Sequence, residues 1–224
     1  MDQKAYWDKR FQDEGFVWGN SPSQTAAYAL EIFRQHRVKR ILVPGSGYGR
    51  NTKLFSESGF EVTGVEISEV ACALAKKYDP QTRHHSGSVL NMSFDNNKYD
   101  AIYCFNVLHL FPEIERKLFL RECADKLRDN GLMFFTAFSD RDPSCGKGKK
   151  TEKNTFESRP GRPAHYFTED NLRDYFKDFE TIETGIMEDP ENHGEGPHTH
   201  MLRYVLARKH SKATDQISKC REVT

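Results

Sequence analysis

Long apolar runs are missing: nothing in the 224 residues approaches the roughly 18–20 consecutive apolar positions needed to cross a bilayer. A surplus of either charge is missing too. The 33 Lys and Arg balance 33 Asp and Glu, whereas a nucleic-acid binder usually shows a basic excess, so a small-molecule partner is favoured. Cysteine is sparse and unpaired in pattern. Cys72, Cys104, Cys123, Cys145 and Cys220 form no C-x-x-C motif, which excludes a disulfide framework and reads as reduced thiols of a cytoplasmic protein. The opening "MDQKAYWDKRF" has no apolar core and is not read as a secretory signal. No internal repeat is present.

What is there alternates. Short runs rich in Val, Ile, Phe and Tyr mark strands at 40–44, 61–67, 82–87, 99–105 and 131–138, then at 179–187 and 201–208. The segments between the first five carry helix signals. Ser21-Pro22-Ser23-Gln24 reads as a capping box opening a helix over about 22–36. Ser68 caps a helix over 69–77, and Thr168 starts another. Over 112–128 the pairs Ile114/Leu118 and Cys123/Leu127 fall at i,i+4 spacing, with Asn130-Gly131 as the stop. Strand–helix alternation predicts a doubly wound, mostly parallel α/β sheet of seven strands. No helix pattern separates the last two strands, so they should pair as an antiparallel C-terminal hairpin at the sheet edge. Residues 139–165 and 211–224 look irregular, the latter as a polar, disordered tail. The expectation is one domain over 1–210, with 1–38 as a leader and helix covering the ligand.

At the first strand-to-helix turn stands "PGSGYGRN". Glycines there let the backbone approach a ligand, and a helix N-terminus offers unpaired N–H groups. Glu66 ends the next strand 21 positions after Gly45, where a carboxylate can accept both hydrogen bonds of a ribose diol. The spacing G-x-G-x-G misses the dinucleotide fingerprint G-x-G-x-x-G, and no Gly-Lys-Ser/Thr follows. A ribose without a pyrophosphate points to S-adenosylmethionine (SAM), with S-adenosylhomocysteine as its product. A glycine turn needed only for packing is the alternative.

"ILVPGSGYGRNTKLFSESGFEVTGVEISE" resembles motifs I and II of class I SAM-dependent methyltransferases, in particular the small-molecule branch of tellurite-resistance and thiopurine methyltransferases. "YWDKRFQDEGFVWGNSPS" is similar to the leader of that branch, and "YDAIYCFNVLHLFP" and "GLMFFTAFS" to its fourth and fifth strands. The resemblance implies that Gly45, Ser46, Gly47 and Gly49, continued by Arg50 and Asn51, line the methionine and ribose. It gives Glu66 the ribose hydroxyls and Ile67 an adenine face, and sets Asn106 against the methionine group. Trp7 and Phe11, with Trp18 nearby, would close over the cofactor; a hydrophobic anchor for the leader is the alternative. Where the family places an acid for the adenine amino group, this chain has Ser88 and Val89. The Ser88 hydroxyl and the Val89 N–H are the groups left to meet adenine.

Methyl transfer from a sulfonium is an in-line displacement that needs placement and water exclusion. A soft nucleophile such as a thiol or chalcogen oxyanion needs no dedicated base, so no catalytic residue is assigned. "NVLHLFP" lacks the Asn-Pro-Pro-aromatic signature of planar-amine methylation. His109 is a candidate base or a packing residue. The loop 139–165 is read as a mobile substrate lid, with Phe156, Lys147–Lys153 and His165-Tyr166 as its contacts. His193, His198 and His200 invite a metal reading, but alternate residues of an extended chain were not expected to gather a fourth ligand, so no metal is assigned and a hairpin turn is preferred. The expected partner is a small-molecule methyl acceptor, with neither nucleic acid nor membrane, acted on by a monomer or weak homodimer. The other reading is a SAM-dependent enzyme acting on a protein side chain or RNA.

Overall fold

The computed structural model describes residues 2–159, 161–193 and 196–211. Two helices come first, α1 (Gln3–Glu14) and α2 (Gln24–Gln35). Then follow β1 (Arg40–Pro44), α3 (Arg50–Glu57), β2 (Glu61–Glu66), α4 (Glu69–Tyr78), β3 (Arg83–Ser86), β4 (Tyr99–Phe105), α5 (Glu113–Lys126) and β5 (Leu127–Phe138). The second half adds β6 (Lys149–Glu152), β7 (Thr155–Arg159), β8 (Arg162–His165), α6 (Glu169–Tyr175), β9 (Glu180–His193) and β10 (Gly196–Arg208). Seven strands form one sheet in the order β3-β2-β1-β4-β5-β10-β9. The first five are parallel, and β10 runs antiparallel to both β5 and β9. The doubly wound sheet and its closing hairpin therefore stand as expected.

Alternation along the strands builds the two faces of the core. Leu42, Ile102 and Phe135 pack with Phe119 of α5 and Leu172 of α6. Ile41, Val43, Ala101, Tyr103 and Phe134 face the other way, onto Phe33 of α2 and Phe55 of α3. The strand order reverses between β1 and β4, and ligands of such sheets bind outside the carboxyl ends at that switch.

Four expectations need correction. Helix α2 starts at Gln24, capped by Ser23 and not Ser21: the Ser23 hydroxyl accepts from Ala26 N–H, and its own N–H donates to Asn51 Oδ1 at 2.9 Å. The buried stripe of α5 is Arg116, Phe119, Leu120 and Cys123, while Ile114 is 84% exposed. Arg116 wins a core position because each of its three guanidinium nitrogens donates to a partner, Tyr175 Oη, Phe111 O and Glu152 Oε2. The helix stops at Lys126, and Asn130-Gly131 lies inside β5, joined to Lys209 by two backbone bonds. Residues 139–165 are not irregular: β6, β7 and β8 make a three-stranded antiparallel sheet. The expected tail falls almost wholly on 212–224, outside the described residues.

Candidate active site

The loop between β1 and α3 bends only because it is glycine-rich. Gly45, Gly47 and Gly49 take φ of 67°, 56° and 93°, a region costly for residues with a Cβ. Gly45 also lies so close to Val107 that a Cβ would come within 2.3 Å of its Cγ2. Gly49 sits at the N-cap of α3 and brings no side chain to its amides. The Ser46 hydroxyl is buried with no hydrogen-bond partner among the described residues.

Glu66 closes the loop from β2. Its Oε2 accepts the Gly47 N–H and its Oε1 the Ser68 N–H, both at 2.9 Å. Burial pushes its pKa up, and the backbone donors from Ser68, Gly47 and Ile67 oppose that. A carboxylate oxygen has two lone pairs, so each retains acceptor capacity for a hydroxyl. Ile67 beside it is half-buried. Beyond β3, Ser88 Oγ accepts from Leu90 N–H at 3.2 Å and Val89 is buried. Beyond β4, Asn106 sits at φ 57° and its Oδ1 accepts from Thr136 Oγ1 at 3.1 Å. Gly45, Ser88 and Asn106 thus follow β1, β3 and β4, Glu66 ends β2, and all four share the carboxyl edge of the sheet.

The leader is a docked helix. Asp2 caps α1, and Asp8 Oδ1 accepts from Ser68 Oγ and Val70 N–H at the start of α4. Phe11 is buried, and a Cβ on Gly47 would touch its ring at 3.8 Å. Trp7 stacks on Phe11, and Trp18 stacks on Tyr48 at 6.2 Å. Tyr48, which sequence reasoning passed over as the variable position of the loop, is the hub. It is 1% exposed, donates to Gly19 O and accepts from Trp18 N–H. Arg50 and Asn51 serve the same closure, Arg50 donating to Trp18 O and Asn51 accepting from Ser23. Removing residues 1–20 uncovers Tyr48 and Ala71, and is expected to cost about 2–4 kcal/mol, the scale of losing one large core side chain. Denaturant unfolding with an unchanged midpoint would show that α1 lies outside the folded unit.

The carboxyl end of β5 is walled by aromatic rings. Phe138, ending β5, lies between His109 at 4.0 Å and His200 at 4.5 Å, both stacked. His109 belongs to a 3₁₀ turn, Leu108–Leu110, and not to the start of α5. It is 2% exposed, and burial drives its pKa down to about 3, so it is a neutral packing group. His165 and Tyr166 are also buried and occupied. His165 bonds Thr155 Oγ1 and Asn171 Oδ1, and Tyr166 bonds Ser144 Oγ. They anchor the small sheet instead of facing an acceptor; Phe156 stays half-buried and Lys147–Lys150 exposed. The small sheet reaches the leader, with the Arg162 guanidinium 4.4 Å above the Tyr6 ring. His198 and His200 are strand residues of β10, not a turn. A surface depression of about 480 Å³ lined by Arg34, Val38, Ser58 and Phe60 lies at the opposite, amino-terminal end of β1 and β2.

Residues 42–135 match the sequence model of the methyltransferase domain family. Among curated proteins the chain is similar to the ubiquinone biosynthesis O-methyltransferase of Coxiella burnetii, 26% identical over 105 residues that make up 45% of this chain. The match spans less than half, 44%, of that relative's length. Among solved structures it is similar to one described as converting a disulfide bond into a thioacetal group in echinomycin biosynthesis (TM-score 0.73, 15% identity, 98% of this chain and 97% of that one). TehB of Haemophilus influenzae follows with TM-score 0.65 and 18% identity over 91% and 67% of the two chains. The 1,6-didemethyltoxoflavin-N1-methyltransferase of Burkholderia thailandensis, with its substrate and S-adenosylhomocysteine bound, gives 0.68 and 21% over 93% and 87%. The fold is that of the class I SAM-dependent methyltransferases.

Proposed function

We propose that this chain, built on a class I SAM-dependent methyltransferase domain, transfers the methyl group of SAM to a small-molecule acceptor with a soft nucleophile, a thiol or chalcogen oxyanion. Residues 1–210 act as the single catalytic unit. The observation that carries this reading is Glu66, held by the Gly47 and Ser68 amides beside three left-handed glycines. On it, Glu66 binds the ribose diol, Ile67 and Val89 flank adenine with Ser88 at its edge, and Asn106 meets the methionine group. Trp7, Phe11 and Trp18, gathered on Tyr48, exclude water.

The softness of the acceptor is supported by what lines its side. His109 and His165 are buried and hydrogen-bonded, and burial holds them neutral, at about 3 and about 4. Neither is placed to take a proton from an incoming hydroxyl or amine, which leaves His200, stacked on Phe138 and paired with Asp142, as the imidazole of that wall that could; an acceptor that is already a good nucleophile needs no such base. The sulfonium supplies the activated methyl, and the protein aligns the two partners and keeps the chamber dry.

Calorimetry is expected to show SAM and S-adenosylhomocysteine binding at low-micromolar level or better, about −8 kcal/mol, and no binding of NAD. Incubation with SAM and a panel of thiols, chalcogen oxyanions, phenols and small amines, read by mass spectrometry, should give a methyl-mass increase on a thiol or oxyanion. NAD binding, or no SAM binding by folded protein, would sink the cofactor assignment. Methylation of phenols alone would overturn the soft acceptor and leave the cofactor standing.

A further inference from the structure

The extended tip of the β9–β10 hairpin carries a donor set that methyl transfer does not use. Asp189 pairs across the strands with His200, and Glu191 with His198. Positions two apart on a strand share a face, and so do direct cross-strand partners. Two imidazoles and two carboxylates therefore make a square on one face of the hairpin. One ligand atom each from Glu191, His198 and His200 lies within 4.8 Å of the others.

The outer hydrogen bonds fix how the imidazoles present themselves. His200 Nδ1 stands 2.9 Å from Asp142 Oδ2, and His198 Nδ1 stands 2.9 Å from the Gly196 carbonyl oxygen. Each of those partners is an acceptor only, so in the neutral imidazole the proton sits on Nδ1, the tautomer whose Nε2 can ligate a metal. Imidazoles that ligate a metal typically donate their other N–H to a carboxylate or backbone carbonyl, and both arrangements occur here. Asp142 is itself fixed: its Oδ2 also takes the Met201 N–H and its Oδ1 the Ser144 N–H.

Asp189 supplies the independent sign. It is 4% exposed, and its Oδ2 is buried with no hydrogen-bond partner among the described residues. Burial and the neighbouring Glu191 carboxylate raise the Asp189 pKa to about 6, so two carboxyl groups here either share a proton or meet a cation.

We propose that Asp189, Glu191, His198 and His200 bind one divalent transition-metal ion, with Asp142 positioning His200. Imidazole nitrogen and carboxylate oxygen without thiolate suit zinc, and also iron(II), cobalt(II) or nickel(II). Tetrahedral ligands about 2.1 Å from zinc stand about 3.4 Å apart, so the Glu191, His198 and His200 atoms, now within 4.8 Å of one another, have to draw together and Asp189 has to turn toward them to complete the shell. Because His200 stacks on Phe138 at the end of β5, the ion would sit beside the proposed acceptor side.

The test uses the full chain stripped with chelator and titrated with zinc chloride, followed by cobalt(II) for its visible bands. Neither SAM nor acceptor is present, so the outcome is independent of the methyl-transfer reading. One equivalent of zinc per chain is expected, with visible cobalt bands of tetrahedral nitrogen–oxygen ligation. His198→Ala and His200→Ala should each weaken zinc at least about 100-fold, and Asp142→Asn about 10- to 100-fold, the usual cost of losing an outer partner. His36→Ala, on an exposed residue after α2, should change nothing. If His200→Ala fails to fold, His198→Ala, at a half-buried strand position, decides. No binding of zinc, cobalt or nickel by the wild-type chain overturns the proposal, as does zinc binding unaffected by His198→Ala.

Discussion

Replacing Glu66 by alanine is expected to weaken SAM binding by about 1–3 kcal/mol, roughly 5- to 150-fold, the scale of charge-assisted hydrogen bonds lost from a buried site. The carboxylate is 6% exposed and joins the glycine loop to the start of α4. Alanine therefore removes the proposed ribose acceptor and also orphans the Gly47 and Ser68 amides. Glu66→Gln separates the two effects. Its amide keeps an acceptor and much of the shape but gives up the charge, so its loss should be smaller than that of alanine. Calorimetry on variants shown to be folded by circular dichroism checks both. A Glu66→Ala protein that stays folded and binds SAM like wild type would remove Glu66 from the site.

Gly45→Ala is expected to cost about 2–5 kcal/mol of folding stability. A left-handed φ of 67° costs an alanine about 1–2 kcal/mol, and the added methyl overlaps Val107 Cγ2 at 2.3 Å, an overpacking term of about 1–3 kcal/mol. Gly19→Ala is the control: φ is 70° and nothing lies within 4 Å of the new Cβ, so it carries a positive-φ strain without the contact. Urea unfolding should put Gly45→Ala well below Gly19→Ala. Equal midpoints would mean that Val107 yields freely and that contact does not dictate this glycine.

The sheet was legible because each of its strands leaves a local trace. Parallel strands covered on both faces read as apolar runs such as "RILVP", and β4 matches its sequence range of 99–105. Ser68 and Thr168 were legible as caps for the same local reason. The small sheet was not, because its strands are short, half-solvated and rich in Lys, Glu and Arg. Its turn at Lys153-Asn154 was nonetheless written, with Asn154 at φ 57° between the paired Glu152 and Thr155. Ile114 and Leu118 misled because helical spacing says which residues share a face, not which face is buried. Of the site, Gly45 and Glu66 were legible from spacing. Tyr48, Arg162 and the Asp142–His200 pair were not, since each acts through a partner distant in sequence.

The Arg162–Tyr6 contact bears on traffic through the site. It joins the small sheet, which follows the last parallel strand, to the leader at the other end of the fold, so the two halves of the roof meet at one seam. A guanidinium over a ring contributes only about 0.5–2 kcal/mol, so parting that contact lowers the closed population by a few-fold to about 30-fold. On the proposed function, one seam serving both halves would give the spent cofactor and the methylated acceptor a shared exit. The slower departure would then pace the pair, and a bulky acceptor lingering under the seam would detain the nucleoside with it.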